Sequence, residues 1–95
     1  MIVRGGVNIA PQEIENTLRA HPSVDDVAIL GIKDEDFGEE VAAIFVSQTA
    51  TEKELYALCM RQIAPESRPR IIKLVDQLPY NLNNKLDRNK LRSLL

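Results

Sequence analysis

A lysine stands in a polar loop near the end of the chain. Residues 78–88 read Leu-Pro-Tyr-Asn-Leu-Asn-Asn-Lys-Leu-Asp-Arg, and proline and asparagine favour turns. Asp87 has the residue type of a helix N-cap, and Leu86 and Leu91 then have the spacing of a hydrophobic staple. A loop braced in this way can present Lys85 to an anionic ligand, although an ordinary solvated lysine is the default interpretation of this stretch alone.

Two adjacent glycines near the start of the chain form a second candidate site. Gly5 and Gly6 separate the short apolar stretches 1–4 and 7–9, which predicts a small hairpin with a flexible corner. Without side chains, the two glycines allow the backbone to approach a ligand closely. A plain turn explains the spacing equally well.

The other chemically capable residues indicate no site. The single cysteine, Cys59, excludes a disulfide framework and a cysteine-based metal cage, and it lies on an apolar helical stripe as a small core residue would. The single histidine, His21, has no partner that suggests a triad or a metal site. The acidic stretch 34–40 lacks the ligand spacing of an EF-hand.

The charges are divided unevenly along the chain. Residues 1–60 hold 4 Lys and Arg against 11 Asp and Glu, whereas residues 61–95 hold 8 against 3. The basic third attracts anions such as phosphates, nucleic acid or acidic protein surfaces, and the charge does not choose among them.

The length of 95 residues predicts one small domain, residues 1–95. A chain of this size buries about two-thirds of its unfolded surface, which is enough for one modest core but not for deep sites for several substrates. No apolar run approaches membrane-spanning length, and no secretory signal opens the chain. We therefore expect a cytoplasmic protein.

The apolar periodicity predicts the order β-α-β-β-α-β-loop-α, with the short hairpin at the start. Pro11 suits the first turn of a helix, and Thr51 with Glu54 forms a capping box for another. The strands are predicted over residues 24–32, 41–46 and 71–75, and the second is apolar throughout and so central. We expect a two-layer α+β domain with helices on one side of a largely antiparallel sheet. Periodicity also allows a ferredoxin-like split βαβ fold, which hosts RNA-binding, metal-binding and regulatory domains.

Three motifs occur in register along the chain. Residues 1–15 contain the glycine pair followed by Ile-Ala-Pro-Gln-Glu-Ile-Glu, residues 31–39 form an acidic middle loop, and residues 78–88 read Leu-Pro, four residues, then Asn-Lys-Leu-Asp-Arg. Together they resemble the small C-terminal domain of adenylate-forming enzymes, the superfamily of acyl- and aryl-CoA ligases, peptide-synthetase adenylation domains and luciferases. The resemblance covers essentially the whole chain.

The resemblance implies a reaction in two halves. A carboxylic acid reacts with ATP to give an acyl-adenylate and pyrophosphate, and after a rotation of the small domain the CoA thiol gives the thioester and AMP. Lys85 would act in the first half as the adenylation lysine. In the second half Arg4, Gly5, Gly6, Arg68 and Arg70 would contribute to the site for CoA and its pantetheine arm. The glycines would line the pantetheine tunnel, and Arg68 and Arg70 would contact the nucleotide phosphates.

One residue departs from the commonest family pattern. Asn84 stands before Lys85 in place of glycine, and asparagine is the next-best residue in a left-handed conformation. The segment Arg68-Pro69-Arg70 is similar to an Arg-Pro-Lys segment of benzoate-type ligases, and arginine suits phosphate through its planar fork. The departure at Asn84 bears on the rate of adenylation rather than on the class of enzyme.

The resemblance also implies partners outside the chain. The ATP-phosphate loop, the adenine pocket and the acid pocket belong to a large N-terminal domain, which would also bind most of the Mg²⁺ that accompanies ATP. We expect no acyl-adenylate formation by the 95 residues alone. A carrier-protein thiol remains open as the acceptor in place of CoA. A stand-alone RNA-binding module is a further alternative, although the chain has only four aromatic residues and no RRM signature.

Overall fold

A computed structural model describes all residues, 1–95. The chain forms five strands, three α-helices and one short 3₁₀-helix. In chain order these are β1 (Ile2–Arg4), β2 (Val7–Ile9), α1 (Pro11–Arg19), β3 (Asp26–Asp34), β4 (Gly38–Val46), α2 (Glu52–Gln62), the 3₁₀-helix (Pro65–Ser67), β5 (Ile71–Val75) and α3 (Arg88–Ser93). The predicted order of elements is confirmed.

Strand β4 is the centre of the sheet. It pairs antiparallel with β3 from Asp26↔Val46 to Asp34↔Gly38, and parallel with β5. Its first residue also pairs with Arg4 of β1, which carries β2 on its other edge. A strand with neighbours on both edges and cover on both faces needs apolar residues at nearly every position. The prediction that this strand is central, and the α+β class with a largely antiparallel sheet, are therefore confirmed.

The two faces of β4 belong to two separate apolar clusters. Val41, Ala43 and Phe45 point towards α1 and α2, whereas Ala42 and Ile44 point to the opposite face. Alternate residues of a strand face opposite sides of its sheet, so the continuous apolar run buries both sides.

Helix α3 corrects the expectation that all helices lie on one side of the sheet. Leu91 of α3 is completely buried in the second cluster with Leu78, and Leu86 packs against them. The sheet is thus covered by α1 and α2 on one face and by the C-terminal loop and α3 on the other. A six-residue helix carries too little periodicity to specify which face it covers.

The helix starts follow from local chemistry. Thr51 accepts a hydrogen bond from the backbone N–H of Glu54 at 3.2 Å, and the Glu54 carboxylate accepts one from the N–H of Thr51 at 3.1 Å, which confirms the capping box.

Strand β4 begins earlier than predicted. Its pairing with β3 extends to Gly38, beyond the predicted start at Val41, because backbone pairing does not require apolar side chains. None of the helices has the length and hydropathy needed to cross a membrane.

Candidate functional site

The Lys85 loop, residues 79–87, is closed by its own hydrogen bonds. The backbone N–H of Asn81 donates to the carbonyl of Lys85 at 2.7 Å, and that of Asn84 donates to the carbonyl of Asn81 at 2.9 Å. The Asn81 side-chain oxygen accepts from the N–H groups of Asn83 and Lys85 at 2.9 and 3.0 Å. Asn81 therefore closes the turn with both its backbone and its side chain, which is why asparagine serves here.

The backbone at Asn84 is left-handed, with φ of 61°. No other non-glycine residue has a positive φ. The expectation that asparagine takes over the conformational role of glycine before Lys85 is confirmed.

Lys85 leaves this turn as an exposed cation. Its side chain takes part in none of the three ion pairs of the chain. The base of the loop is held by Asp87, which caps α3 by accepting from the N–H of Lys90 at 3.2 Å. Leu86 packs against the cluster that contains Leu91, which agrees with the predicted staple. A free ammonium thus stands on a firmly built turn.

The glycine pair forms the corner of the β1–β2 hairpin. Gly5 and Gly6 have φ of 56° and 83°, which L side chains rarely adopt. The N–H of Gly5 donates to the carbonyl of Phe37 at 2.9 Å, and a Cβ at Gly5 would lie 3.4 Å from the Phe37 ring. A Cβ at Gly6 would meet nothing within 4 Å, so this side of the turn is open to an approaching molecule.

Arg4 lies inside the protein. Its Nη1 donates to Glu40 Oε1 and to the carbonyl of Arg68, each at 2.6 Å. Its Nη2 donates to the carbonyls of Glu66 at 2.8 Å and Pro65 at 3.3 Å. Because these bonds occupy the buried guanidinium, the geometry favours a role in holding residues 65–68. A direct contact of Arg4 with CoA stays a prediction.

Arg68 closes the end of α2. Its Nε donates to the carbonyl of Ile63 at 2.8 Å, and its Nη2 to that of Met60 at 2.9 Å. A cation is favourable at a helix C-terminus, where carbonyls lack partners. Two of the three Arg68 guanidinium nitrogens therefore form hydrogen bonds that stabilise the fold.

Arg70 is the most available of the three arginines. Its side chain is 62% exposed, and its Nε lies 3.6 Å from Glu40 Oε2. Its guanidinium carbon lies 5.3 Å from the centre of the Phe37 ring, within the range of a cation–π contact. The ring and the carboxylate hold the arginine in place and leave most of its donors free.

These residues line two adjoining grooves at one end of the molecule. Both grooves include Arg4, Pro65 and Arg70; one adds Gly5 and the other adds Arg68. The structure thus brings together the residues predicted from separate motifs, and we call this region the glycine-turn patch (Arg4, Gly5, Gly6, Phe37, Arg68 and Arg70). Phe37 and the buried Glu40 were missed by the sequence reasoning, since nothing in the sequence pairs them with positions about 30 residues away.

Lys85 is not part of the glycine-turn patch. Its loop is attached by Tyr80 to Asp26, the first residue of β3, whereas Gly5 is attached to Phe37, which directly precedes Gly38, the β4 partner of Asp34 at the end of β3. A nine-residue strand with a rise of about 3.3 Å per residue separates these attachment points by roughly 26 Å. The two candidate sites therefore lie towards opposite ends of the sheet.

A match to a known protein family decides the class. Residues 13–85 match the family described as AMP-binding enzyme C-terminal domain. The chain belongs to this family. The resemblance inferred from the three motifs is thereby confirmed.

Two curated relatives are named as CoA ligases. The chain is 43% identical over 94 residues to 2-succinylbenzoate–CoA ligase of Bacillus pumilus, covering 98% of this chain and 19% of the relative. It is 38% identical over 95 residues to the mitochondrial medium-chain acyl-CoA ligase ACSF2 of Rattus norvegicus, covering 97% and 15%. The chain thus spans less than a fifth of the length of these relatives.

Solved structures agree with this assignment. A fatty acyl CoA synthetase of Mycobacterium tuberculosis superposes with a TM-score of 0.87 at 32% identity, covering 99% of this chain and 19% of that one. ATP-bound MatB of Rhodopseudomonas palustris gives 0.86 at 34%, covering 97% and 19%. An o-succinylbenzoate CoA synthetase of Bacillus subtilis, bound with a product analogue, gives 0.85 at 35%, covering 96% and 19%. These findings give no support to an RNA-binding module.

Proposed function

We propose that residues 1–95 are the mobile C-terminal domain of an acyl- or aryl-CoA ligase. The complete enzyme would convert a carboxylic acid, ATP and CoA to acyl-CoA, AMP and pyrophosphate. The observation that carries this proposal is the placement of two dissimilar sites on one sheet, with a free lysine towards one end and an open glycine turn beside arginines at the other. A ligase that works in two steps would use the lysine in adenylation and the glycine turn in thioester formation.

Lys85 would act in adenylation. The attacking carboxylate and the α-phosphate of ATP are both negative, and negative charge builds on the departing pyrophosphate. An ammonium placed beside these groups lowers their repulsion and stabilises the transition state. The exposed, unpaired state of Lys85 supports this role, since a cation already neutralised by a carboxylate would contribute less.

The glycine-turn patch would act in thioester formation. The open side of Gly6 leaves room for the narrow pantetheine arm of CoA. Arg70 is the arginine with free donors for a CoA phosphate, through the planar fork that suits phosphate oxygens. Arg4 and Arg68 would chiefly shape the groove around it.

A large N-terminal domain would supply the remainder of the site. The relatives are several times longer than this chain, which supports a partner domain with the ATP and acid pockets. No group of three or more His, Cys, Asp or Glu side chains in the chain is placed to hold a metal ion, and we assign the Mg²⁺ that accompanies ATP to the large domain, which would hold the ATP phosphates. Rotation of the small domain would bring Lys85 and then the glycine-turn patch to the reacting acid.

The decisive experiment uses the native polypeptide that carries this chain, with its large domain covalently joined or supplied as a subunit. Lys85→Ala should reduce acid-dependent ATP–pyrophosphate exchange by about a hundredfold or more, as expected for one electrostatic contact to the transition state. Lys53→Ala is the matched control, since Lys53 is also exposed and without an ion pair. Equal activity in the two variants would contradict the role of Lys85.

Arg70→Ala distinguishes CoA from a carrier protein as the acceptor. Both acceptors present a phosphopantetheine thiol, but only CoA brings the additional nucleotide phosphates. With CoA as acceptor we expect the KM for CoA to rise while adenylation is unchanged. Transfer to a carrier protein, with no activity towards free CoA, would support the carrier-protein alternative.

A further inference from the structure

Tyr80 connects the Lys85 loop to the sheet through one short hydrogen bond. Its hydroxyl donates to Asp26 Oδ2 at 2.5 Å. The other carboxylate oxygen of Asp26 accepts from the N–H of Val27 at 2.9 Å and from Arg19 Nη2 at 3.4 Å. These two contacts hold the Asp26 carboxylate in a fixed orientation independently of its bond with Tyr80.

This bond is the only hydrogen bond between residues 79–87 and the sheet. The others made by these residues close the turn around Asn81, join Pro79 to Asp87, or cap α3. Apolar packing of Leu78 and Leu86 also attaches the loop, but such contacts are not directional. A hydrogen bond restricts both distance and angle, so the Tyr80 bond orients residues 79–87 on the sheet. Arg88, the next residue, adds a longer bond from its Nη1 to the carbonyl of Ile29 at 3.5 Å.

The position of Tyr80 transmits this constraint to Lys85. Tyr80 forms an antiparallel bridge with Leu86, the residue that follows Lys85. The turn between them is closed by the Asn81 hydrogen bonds, so it moves as one body. Displacement of the tyrosine hydroxyl therefore displaces the backbone of Lys85, and misplacement of a reacting group by about 1 Å can reduce a rate a hundredfold.

We propose that Tyr80 and Asp26 are positioning residues for Lys85 in the adenylation step. This inference rests on the proposed function of Lys85. Neither residue needs to touch a substrate; together they set where the ammonium stands relative to the rigid part of the domain.

The test separates the two half-reactions in the native polypeptide with its large domain. Tyr80→Phe removes only the hydroxyl, and we expect kcat for ATP–pyrophosphate exchange to fall by about tenfold, the effect of losing one well-placed contact. KM for ATP should stay unchanged. Thioester formation from preformed acyl-adenylate should also stay unchanged, because the glycine-turn patch lies towards the other end of the sheet.

Tyr56→Phe is the matched control for the exchange assay, because Tyr56 borders the groove that contains Arg68 and Arg70 and not the Lys85 loop. Tyr56 is 48% exposed against 49% for Tyr80, and its hydroxyl makes no hydrogen bond. Asp26→Asn keeps an oxygen that can accept from Tyr80, whereas Asp26→Ala does not. We expect Asp26→Ala to match Tyr80→Phe and Asp26→Asn to retain most of the adenylation rate.

The outcomes separate this inference from the proposed function. If Lys85→Ala leaves exchange unchanged, the proposed function fails. If Lys85→Ala abolishes exchange while Tyr80→Phe behaves like Tyr56→Phe, the positioning role alone is overturned. An equal fall of both half-reactions in Tyr80→Phe also overturns it, since that result indicates a general loss of structure. In a Lys85→Ala background, Tyr80→Phe should have no additional effect.

A readout without catalysis uses NMR relaxation of the 95-residue chain. Tyr80→Phe should raise the mobility of the backbone amides of Asn83, Asn84 and Lys85, while those of β4 stay unchanged. Unchanged order parameters at Lys85 would contradict the inference.

Discussion

The buried ion pair between Arg4 and Glu40 provides a quantitative test of the glycine-turn patch. Arg4→Met keeps an unbranched apolar side chain and removes the guanidinium. The carbonyls of Pro65, Glu66 and Arg68 lose a donor, but they lie on a surface turn and can bind water instead. The main cost therefore falls on the Glu40 carboxylate, whose side chain is only 8% exposed.

The magnitude follows from the burial of that carboxylate. Removing one partner of a buried pair costs about 3–5 kcal/mol. We expect the lower end, near 3 kcal/mol, because the N–H of Val41 still donates to Glu40 at 2.9 Å and Arg70 Nε still lies 3.6 Å from its other carboxylate oxygen. For a domain of this size that loss lowers Tm by roughly 12–24 °C.

Urea denaturation followed by circular dichroism measures this change. Arg19→Met is the matched control, since its ion pair with Asp26 has an arginine side chain 47% exposed and should contribute about 1 kcal/mol or less. Arg4→Met/Glu40→Met removes both charges and should recover part of the loss. A loss in Arg4→Met no larger than that in Arg19→Met would refute the argument.

Three further predictions concern stability, each measured by urea denaturation. Gly31→Ala should cost about 1–2 kcal/mol, because the new Cβ would lie 3.1 and 3.2 Å from Cγ1 and Cγ2 of the buried Ile2, whereas the Glu39 carboxylate can move aside; an unchanged midpoint would contradict this close packing. Asn84→Ala should cost about 1 kcal/mol and Asn84→Gly almost nothing, and equal losses would exclude a left-handed Asn84. Burial raises the pKa of the Cys59 thiol from 9.0 to about 11, so the unfolded chain releases this proton first and stability should fall as pH rises from 9 to 11. Cys59→Ala should remove that part of the pH dependence.

Local features were predictable because neighbouring residues determine them. The capping box at Thr51 and Glu54, the cap at Asp87 and the turn at Gly5 and Gly6 each depend on side chains or conformations within about five residues. The central strand was predictable because burial on two faces requires an uninterrupted apolar run.

Contacts between distant residues were decided only by the tertiary structure. The sequence on its own does not reveal that β5 runs parallel to β4, or that α3 covers the face opposite α1 and α2. Periodicity reports how an element is buried but not which partner buries it.

The candidate sites show the same division. The sequence by itself indicated that Lys85 follows a residue suited to a left-handed conformation in a turn, and that Gly5 and Gly6 form the corner of a hairpin. Both predictions depend only on motif and spacing. Only the tertiary structure decided that Arg4 is buried against Glu40, that Arg70 stays available, and that the lysine is oriented from the sheet. These arrangements join residues tens of positions apart, and their free energies depend on burial and geometry that exist only once the chain has folded.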